Sequence, residues 1–206
     1  MAEQGPRGWL FILVGPGGAG KNTLMRTAIE HYGGLTQLAT ATTRPIRDGE
    51  QEGREHYFVS LERFKQMIAN NDLLEHQEVT PGKFYGVPRD RVADNLNAGR
   101  FIIADIDVIG AEKVQAAFPQ DVVLIFITVP GDSIEEKLAV LRERMSNEDR
   151  NEDEKLIRDR LQRAQDIEFK FAQKCDHVIV NDDVSRAEQE LIDIIRKYQL
   201  QRTPQS

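Results

Sequence analysis

Apolar residues in this chain gather in short unbroken runs, and longer amphipathic stretches lie between them. Trp9–Val14, Phe101–Asp105, Val122–Val129 and His177–Val180 are runs of strand length with few polar positions. A strand apolar on both faces must be covered on both, which predicts a parallel sheet flanked by helices. Helical spacing fills the intervals at Lys21–Tyr32, Val108–Phe118, Ser133–Met145, Glu154–Phe171 and Ser185–Gln199. The alternation predicts an α/β layered domain with its core at 9–41 and 99–197.

Two stretches break the rhythm. Residues 42–98 carry short strand-like pieces at His56–Ser60, Leu73–Val79 and Lys83–Val87 around a helix at Leu61–Asn70, which reads as a small inserted lobe. Residues 146–155 hold Glu148, Asp149, Glu152, Asp153 and Glu154 beside Arg150 and Lys155, with no apolar residue. A segment that polar is expected as a solvated loop or moving flap, with a lid spanning about 142–158. The polar tail, 198–206, is expected to fray from Gln199 onward.

Composition narrows the function classes. With 206 residues, 40% hydrophobic and 30% charged, the chain can bury a core without disulfide staples. No apolar run approaches a membrane span, and the first residues lack a signal-peptide pattern. The single cysteine, Cys175, forms no internal disulfide, which fits a reducing, cytoplasmic setting. A net charge of −7 argues against nucleic-acid or anionic-membrane partners, so any phosphate ligand needs cations gathered locally.

Such a gathering is visible at Gly15-Pro16-Gly17-Gly18-Ala19-Gly20-Lys21-Asn22-Thr23. Glycines let backbone N–H groups turn onto an anion, the following helix aims its positive end there, and a lysine adds a point charge. A glycine-rich turn could merely close a βα unit, but strand, spacing and lysine together favour an ATP-binding phosphate loop. Where such loops usually carry Ser or Thr toward Mg²⁺, this one has Asn22, followed at once by Thr23. Asp105 ends an apolar strand, at the sheet edge where α/β proteins bind ligands, and Asp107 follows. His31 and His177 show no metal-ligand spacing, and Cys175 reads as a packing residue.

Beyond the loop, the chain resembles the guanylate kinases. The resemblance runs through Thr40-Ala-Thr-Thr-Arg44-Pro-Ile-Arg47, Gly49-Glu50, Gly53 and Tyr57–Ser60. It continues through Leu74-Glu75, Phe84-Tyr85-Gly86, Asp105-Ile-Asp107-Val-Ile-Gly110, Arg160-Leu-Gln-Arg-Ala164 and Val178-Ile-Val-Asn181-Asp182, covering about 9–197. It implies a P-loop kinase three-layer fold with a central parallel sheet, a nucleoside-monophosphate lobe and a mobile lid. It implies the reaction ATP + GMP ⇌ ADP + GDP with Mg²⁺, nucleotides as the partners, and no particular oligomeric state.

The roles follow position by position. The loop and Asn181 would bind ATP, with Mg²⁺ held through water near Asn22, Thr23 and Asp105. Arg44, Arg47, Tyr57 and Tyr85 would hold the acceptor phosphate, with His56 also in the GMP site, Glu75 and Thr40 would read guanine, and Asp105 and Asp107 would seat the nucleoside. Lys21 and Arg44 would carry catalysis together with Arg160 and either Arg144 or Arg150, which would close over the transferring phosphoryl group. Arg142 and Arg163 read instead as a solvated helix face.

Departures from the family pattern cluster at the acceptor. His56 stands where the family has Tyr, Val87 where it has Ser or Thr, and an extra residue lies around Thr80-Pro81-Gly82. The lid lacks the family's Arg-Gly pair. Two other readings therefore stand beside GMP: a related P-loop kinase for another phosphorylated acceptor such as ribose 1,5-bisphosphate, and a non-catalytic guanylate-kinase-like binding module. Glu75 and the two aspartates favour the nucleotide, and Lys21 with the arginines favours catalysis.

Overall fold

A computed structural model describes residues 7–146 and 154–202. Its main sheet is built on β1 (Trp9–Val14), all six residues of which are buried. The strand order is β2 (Leu35–Gln37), β7 (Phe101–Asp105), β1, β8 (Val122–Thr128) and β9 (His177–Val180), with every pairing parallel. Successive side chains point to opposite faces, so the continuous apolar runs feed two cores. Phe11, Leu13, Ile125 and Ile127 pack with Leu24 of α1 (Lys21–His31) and Leu141 of α5 (Ile134–Ser146). Ile157 of α6 (Glu154–Arg163) and Leu191 of α8 (Val184–Arg202) close that side. Leu10 and Ile12 face the other way, against Leu96 of α3 (Arg89–Asn97), Val114 of α4 (Val108–Ala117) and Phe171 of α7 (Phe169–Phe171). Each such side chain contributes about 1.5–3 kcal/mol of hydrophobic stabilisation, and the polar residues of β7 and β8, Asp105 and Thr128, stand at the strands' carboxyl ends.

The inserted region forms a second, four-stranded sheet in the order β4 (His56–Phe58), β3 (Thr40–Thr42), β6 (Lys83–Pro88) and β5 (Leu73–Thr80). Helix α2 (Leu61–Ala69) is capped by Ser60, whose hydroxyl accepts from Arg63 N, and it buries Phe64 against Ala41 and Leu73. The sheet begins at Thr40, and α3 packs Val92 and Leu96 beneath the main sheet although it precedes residue 98.

Three local expectations are corrected. The helix expected over Glu154–Phe171 is interrupted: after α6 the chain winds as a π-helix at Ala164–Glu168 before α7 and a 3₁₀ turn at Ala172–Lys174. The tail does not fray at Gln199, because α8 runs to Arg202. The Arg202 guanidinium lies 3.7 Å from the Trp9 ring centroid and pairs with Asp121 at 2.8 Å, and Tyr32 donates to Gln199. Arg163 is no free helix-face cation, as shown below. Arg150 and residues 147–153 of the expected flap lie outside the described residues.

Candidate active site

The phosphate loop turns between β1 and α1. Gly15, Gly18 and Gly20 have φ of 135°, 85° and 90°, conformations that side chains disfavour. At Gly15 a Cβ would lie 2.2 Å from Ile127 O, and at Gly20 it would lie 2.3 Å from Asn181 Nδ2. Gly20 caps α1 without any side-chain acceptor, so the helix's first N–H groups remain open to an anion. Lys21 folds back over the loop, donating to Gly15 O at 2.7 Å and Pro16 O at 3.2 Å, with Asp105 Oδ1 3.8 Å away. Asn181 braces the loop from below: its Nδ2 donates to Ala19 O at 2.8 Å. Asn22 is exposed and lines the cleft, whereas Thr23 sits half-buried in the helix's first turn.

The cleft encloses about 1610 Å³ between one face of α1, the Asp105–Asp107 end of the main sheet and the second sheet. Arg44 is buried in its wall. Its Nε donates to Tyr85 Oη at 2.9 Å, and its two Nη atoms grip Glu50 at 2.7 and 2.6 Å. Glu50 also accepts from Arg47 N, and the Arg44 pairing holds its carboxyl down at about 2. The guanidinium fork expected to take the acceptor phosphate is thus aimed at Glu50. A phosphate would meet the remaining N–H of Nη2, the Tyr85 hydroxyl and the exposed Arg47 side chain.

Strand alternation separates the next two residues. His56 lies edge-on to Tyr85, ring centroids 5.7 Å apart, and shares a 2.7 Å hydrogen bond with Thr40 Oγ1. Burial, reinforced by Arg44, pushes its imidazole below the ordinary value. Tyr57 points to the other side of the strand, with the Arg91 guanidinium 4.9 Å from its ring centroid. His56, rather than Tyr57, therefore stands beside Arg44 and Tyr85.

Glu75 is a buried acid of the cleft, 7% exposed and paired across the sheet with Val87. Burial, and then the nearby Asp107 carboxylate, pushes its carboxyl up to about 7. No described residue donates a hydrogen bond to that carboxyl group, whose oxygens are left open to the cleft. It can sit there because α4 offers Gly110, where a Cβ would lie 2.9 Å from Glu75 Cδ. Asp107 caps α4, its Oδ1 accepting from Gly110 N at 2.8 Å. Asp105 reaches water at the cleft floor yet is crowded by protein; that burial pushes its carboxyl up while Lys21 pulls it down.

From the lid side, Arg160 passes over the loop, its Cδ 3.5 Å from where a Cβ on Gly17 would be. Arg144 Nη2 donates to Asn181 O at 2.8 Å, which ties α5 to the brace under the loop. Arg142 stays exposed and pairs at 3.8 Å with Glu154, as expected of a solvated face. Arg163 instead reaches Asp107 Oδ2 at 3.7 Å and Glu168 Oε1 at 3.2 Å. Sequence reading gave no role to Glu50 or Glu168. Glu50 could have been suspected from its place in the Arg-x-x-Arg-x-Gly-Glu stretch, but Glu168 carried no signal. Cys175 donates to Phe171 O, and burial pushes its thiol up to about 12, so it is no nucleophile.

The described residues hold no group of three or more His, Cys, Asp or Glu able to cage a metal ion. Asn22, Thr23 and Asp105 supply hard oxygen donors of low charge count. That set suits Mg²⁺ kept mainly by water and substrate phosphates.

Comparison with known proteins agrees with this geometry. The guanylate kinase family model matches residues 7–198. A guanylate kinase of Maricaulis maris is 37% identical over 196 residues, 95% of this chain and 86% of its own. One from Nostoc sp. is 39% identical over 180 residues, 87% of this chain and 85% of its own. The crystal structure of guanylate kinase from Anaplasma phagocytophilum superposes with a TM-score of 0.68 at 33% identity, covering 95% of this chain and 88% of that one. The chain belongs to the guanylate kinase family.

Proposed function

We propose that the protein transfers the terminal phosphoryl group of ATP to GMP, giving ADP and GDP. The observation that carries this reading is Glu75: a buried carboxyl group with no protein donor, facing a cleft whose wall holds Arg44, Arg47 and Tyr85. Guanine offers N1–H and an exocyclic amine side by side, which satisfy both carboxylate oxygens. Adenine presents an acceptor at N1 and would leave the charge unpaired. An unpaired buried charge costs more than a lost contact, so this arrangement discriminates strongly. Val87 offers guanine no hydroxyl. Thr40 can donate to guanine O6 once His56 Nδ1 carries the proton of their shared bond.

The chain's groups mostly position and neutralise. The open N–H groups of the loop and α1 hold the donor phosphates, Lys21 stands between them and Asp105, and Arg160 approaches from the lid side. Arg144 fastens α5 to Asn181, and Arg160, just beyond the lid, lies against the loop at Gly17. Mg²⁺, when bound beside Asn22, Thr23 and Asp105, would offset phosphate charge. No helix of the described residues is long and apolar enough to cross a membrane, and the single unreactive Cys175 fits the reducing interior of a cell.

The comparisons lend nothing to the sugar-phosphate or scaffold readings, and a ribose bisphosphate would offer Glu75 its vicinal hydroxyls rather than the planar pair of N–H donors that guanine presents. A coupled ADP-release assay with ATP and GMP, dGMP, AMP, UMP, CMP or ribose 1,5-bisphosphate tests the reading. Turnover dominated by GMP supports it; turnover with the sugar bisphosphate but not GMP overturns it.

A further inference from the structure

The π-helical turn at Ala164–Glu168 has a consequence for the acceptor site. In an α-helix, residues five apart lie about 140° apart around the axis and cannot meet. Here Phe169 N donates to Ala164 O in the i→i+5 pattern, and that wider winding brings Arg163 and Glu168 onto one face. Glu168 is 9% exposed and accepts from Arg163 Nε at 3.2 Å, which fixes the plane of the guanidinium. The Nη2 end of that guanidinium then lies 3.7 Å from Asp107 Oδ2. The other Asp107 oxygen is held by Gly110 N, the residue that makes room for Glu75.

Resting on the GMP reading above, we propose that Arg163, oriented by Glu168, is a positioning residue for the acceptor nucleoside that acts through Asp107. It turns the outer Asp107 oxygen and offsets its negative charge, which otherwise repels the Glu75 carboxylate across the guanine pocket. Burial and, after it, the Asp107 carboxylate push the Glu75 carboxyl upward. Lys21 and Asp107 also face Glu168, so Glu168 joins the lid-side helix to the charge balance of both substrate sites.

Steady-state kinetics of the full chain, with GMP varied at saturating ATP and the reverse, test this alongside thermal unfolding. Arg163→Gln should raise the GMP KM about threefold to tenfold, with kcat and the ATP KM within twofold of the parent. Arg163→Lys should recover part of the loss, because the charge remains while the fork does not. Glu168→Gln, which keeps an acceptor but frees the guanidinium, should raise the GMP KM in the same direction. In an Asp107→Asn background, which retains the helix cap, Arg163→Gln should add nothing further. An unchanged GMP KM in Arg163→Gln, a loss confined to kcat or the ATP KM, or full additivity with Asp107→Asn each overturns the proposal. A parent that turns over no GMP would instead defeat the reading on which it rests.

Discussion

Gly110 is the least conspicuous residue of the acceptor site and the one whose replacement is easiest to reason through. Adding a methyl group there places a Cβ 2.9 Å from Glu75 Cδ, 3.0 Å from Glu75 Cγ and 2.8 Å from Ile106 Cγ2. Carbon atoms rest at about 3.5–4.0 Å, so Gly110→Ala must displace the carboxyl group by about 0.6–1 Å. Hydrogen bonds from guanine at about 2.8 Å would then lengthen to about 3.4 Å or more, where they weaken steeply. Losing one such charge-assisted bond, worth about 1.5–3 kcal/mol, raises the GMP KM by about 10- to 100-fold. Stability moves less: alanine gains about 1 kcal/mol in helix propensity against about 1–3 kcal/mol of overpacking. Gly110→Ala should therefore fold with a Tm only a few degrees lower, bind ATP normally and lose GMP affinity. A coupled ADP-release assay at saturating ATP reads the KM, and thermal unfolding reads the fold. A GMP KM within twofold of the parent, at parent-like Tm, would refute the placement of Glu75 against α4.

Four further outcomes are expected. Lys21→Ala should lower kcat by orders of magnitude at nearly unchanged Tm, because the lysine neutralises charge in a surface loop rather than supporting the core. With its carboxyl near 7, Glu75 is ionised only above that pH, so kcat/KM for GMP should rise toward a plateau above pH 7, and Glu75→Gln should lose that limb. The folded value stands above the unfolded 4.5, so the folded state binds the extra proton; stability falls as pH rises from about 4.5 to 7, and Glu75→Gln should raise the Tm at pH 8. Glu50→Gln should lower Tm and raise the GMP KM by freeing Arg44; because Glu50 is held at about 2, the Tm difference should be full above pH 4.5 and shrink as pH falls toward 2.

The main sheet was legible because its strands are buried on both faces and read as unbroken apolar runs, as Trp9–Val14 and Val122–Thr128 do. The phosphate loop was legible because its chemistry is local: glycines, a lysine and a helix start lie within nine residues. Elements held mainly by distant partners were not. The short strand β2 follows two glycines and shows only Leu35 buried, and α3 carries just Val92 and Leu96 on its buried face. The sequence placed both His56 and Tyr57 at the acceptor, and strand alternation parts them, since only one can share the Thr40 face. The π-helical turn could not be read, because Arg163 and Glu168 stand at a spacing that an α-helix would part. The same holds for Arg202, polar in sequence and clamped over Trp9 in the fold.

The central claim is that a buried carboxylate reads guanine in this cleft, and the ratio of kcat/KM for GMP to that for AMP tests it most directly. In Glu75→Gln this ratio should fall by about two orders of magnitude, the worth of one to two charge-assisted hydrogen bonds, while the ATP KM stays within twofold of the parent. A parent-like ratio in Glu75→Gln would contradict the account, because selection for guanine would then lie elsewhere in the cleft.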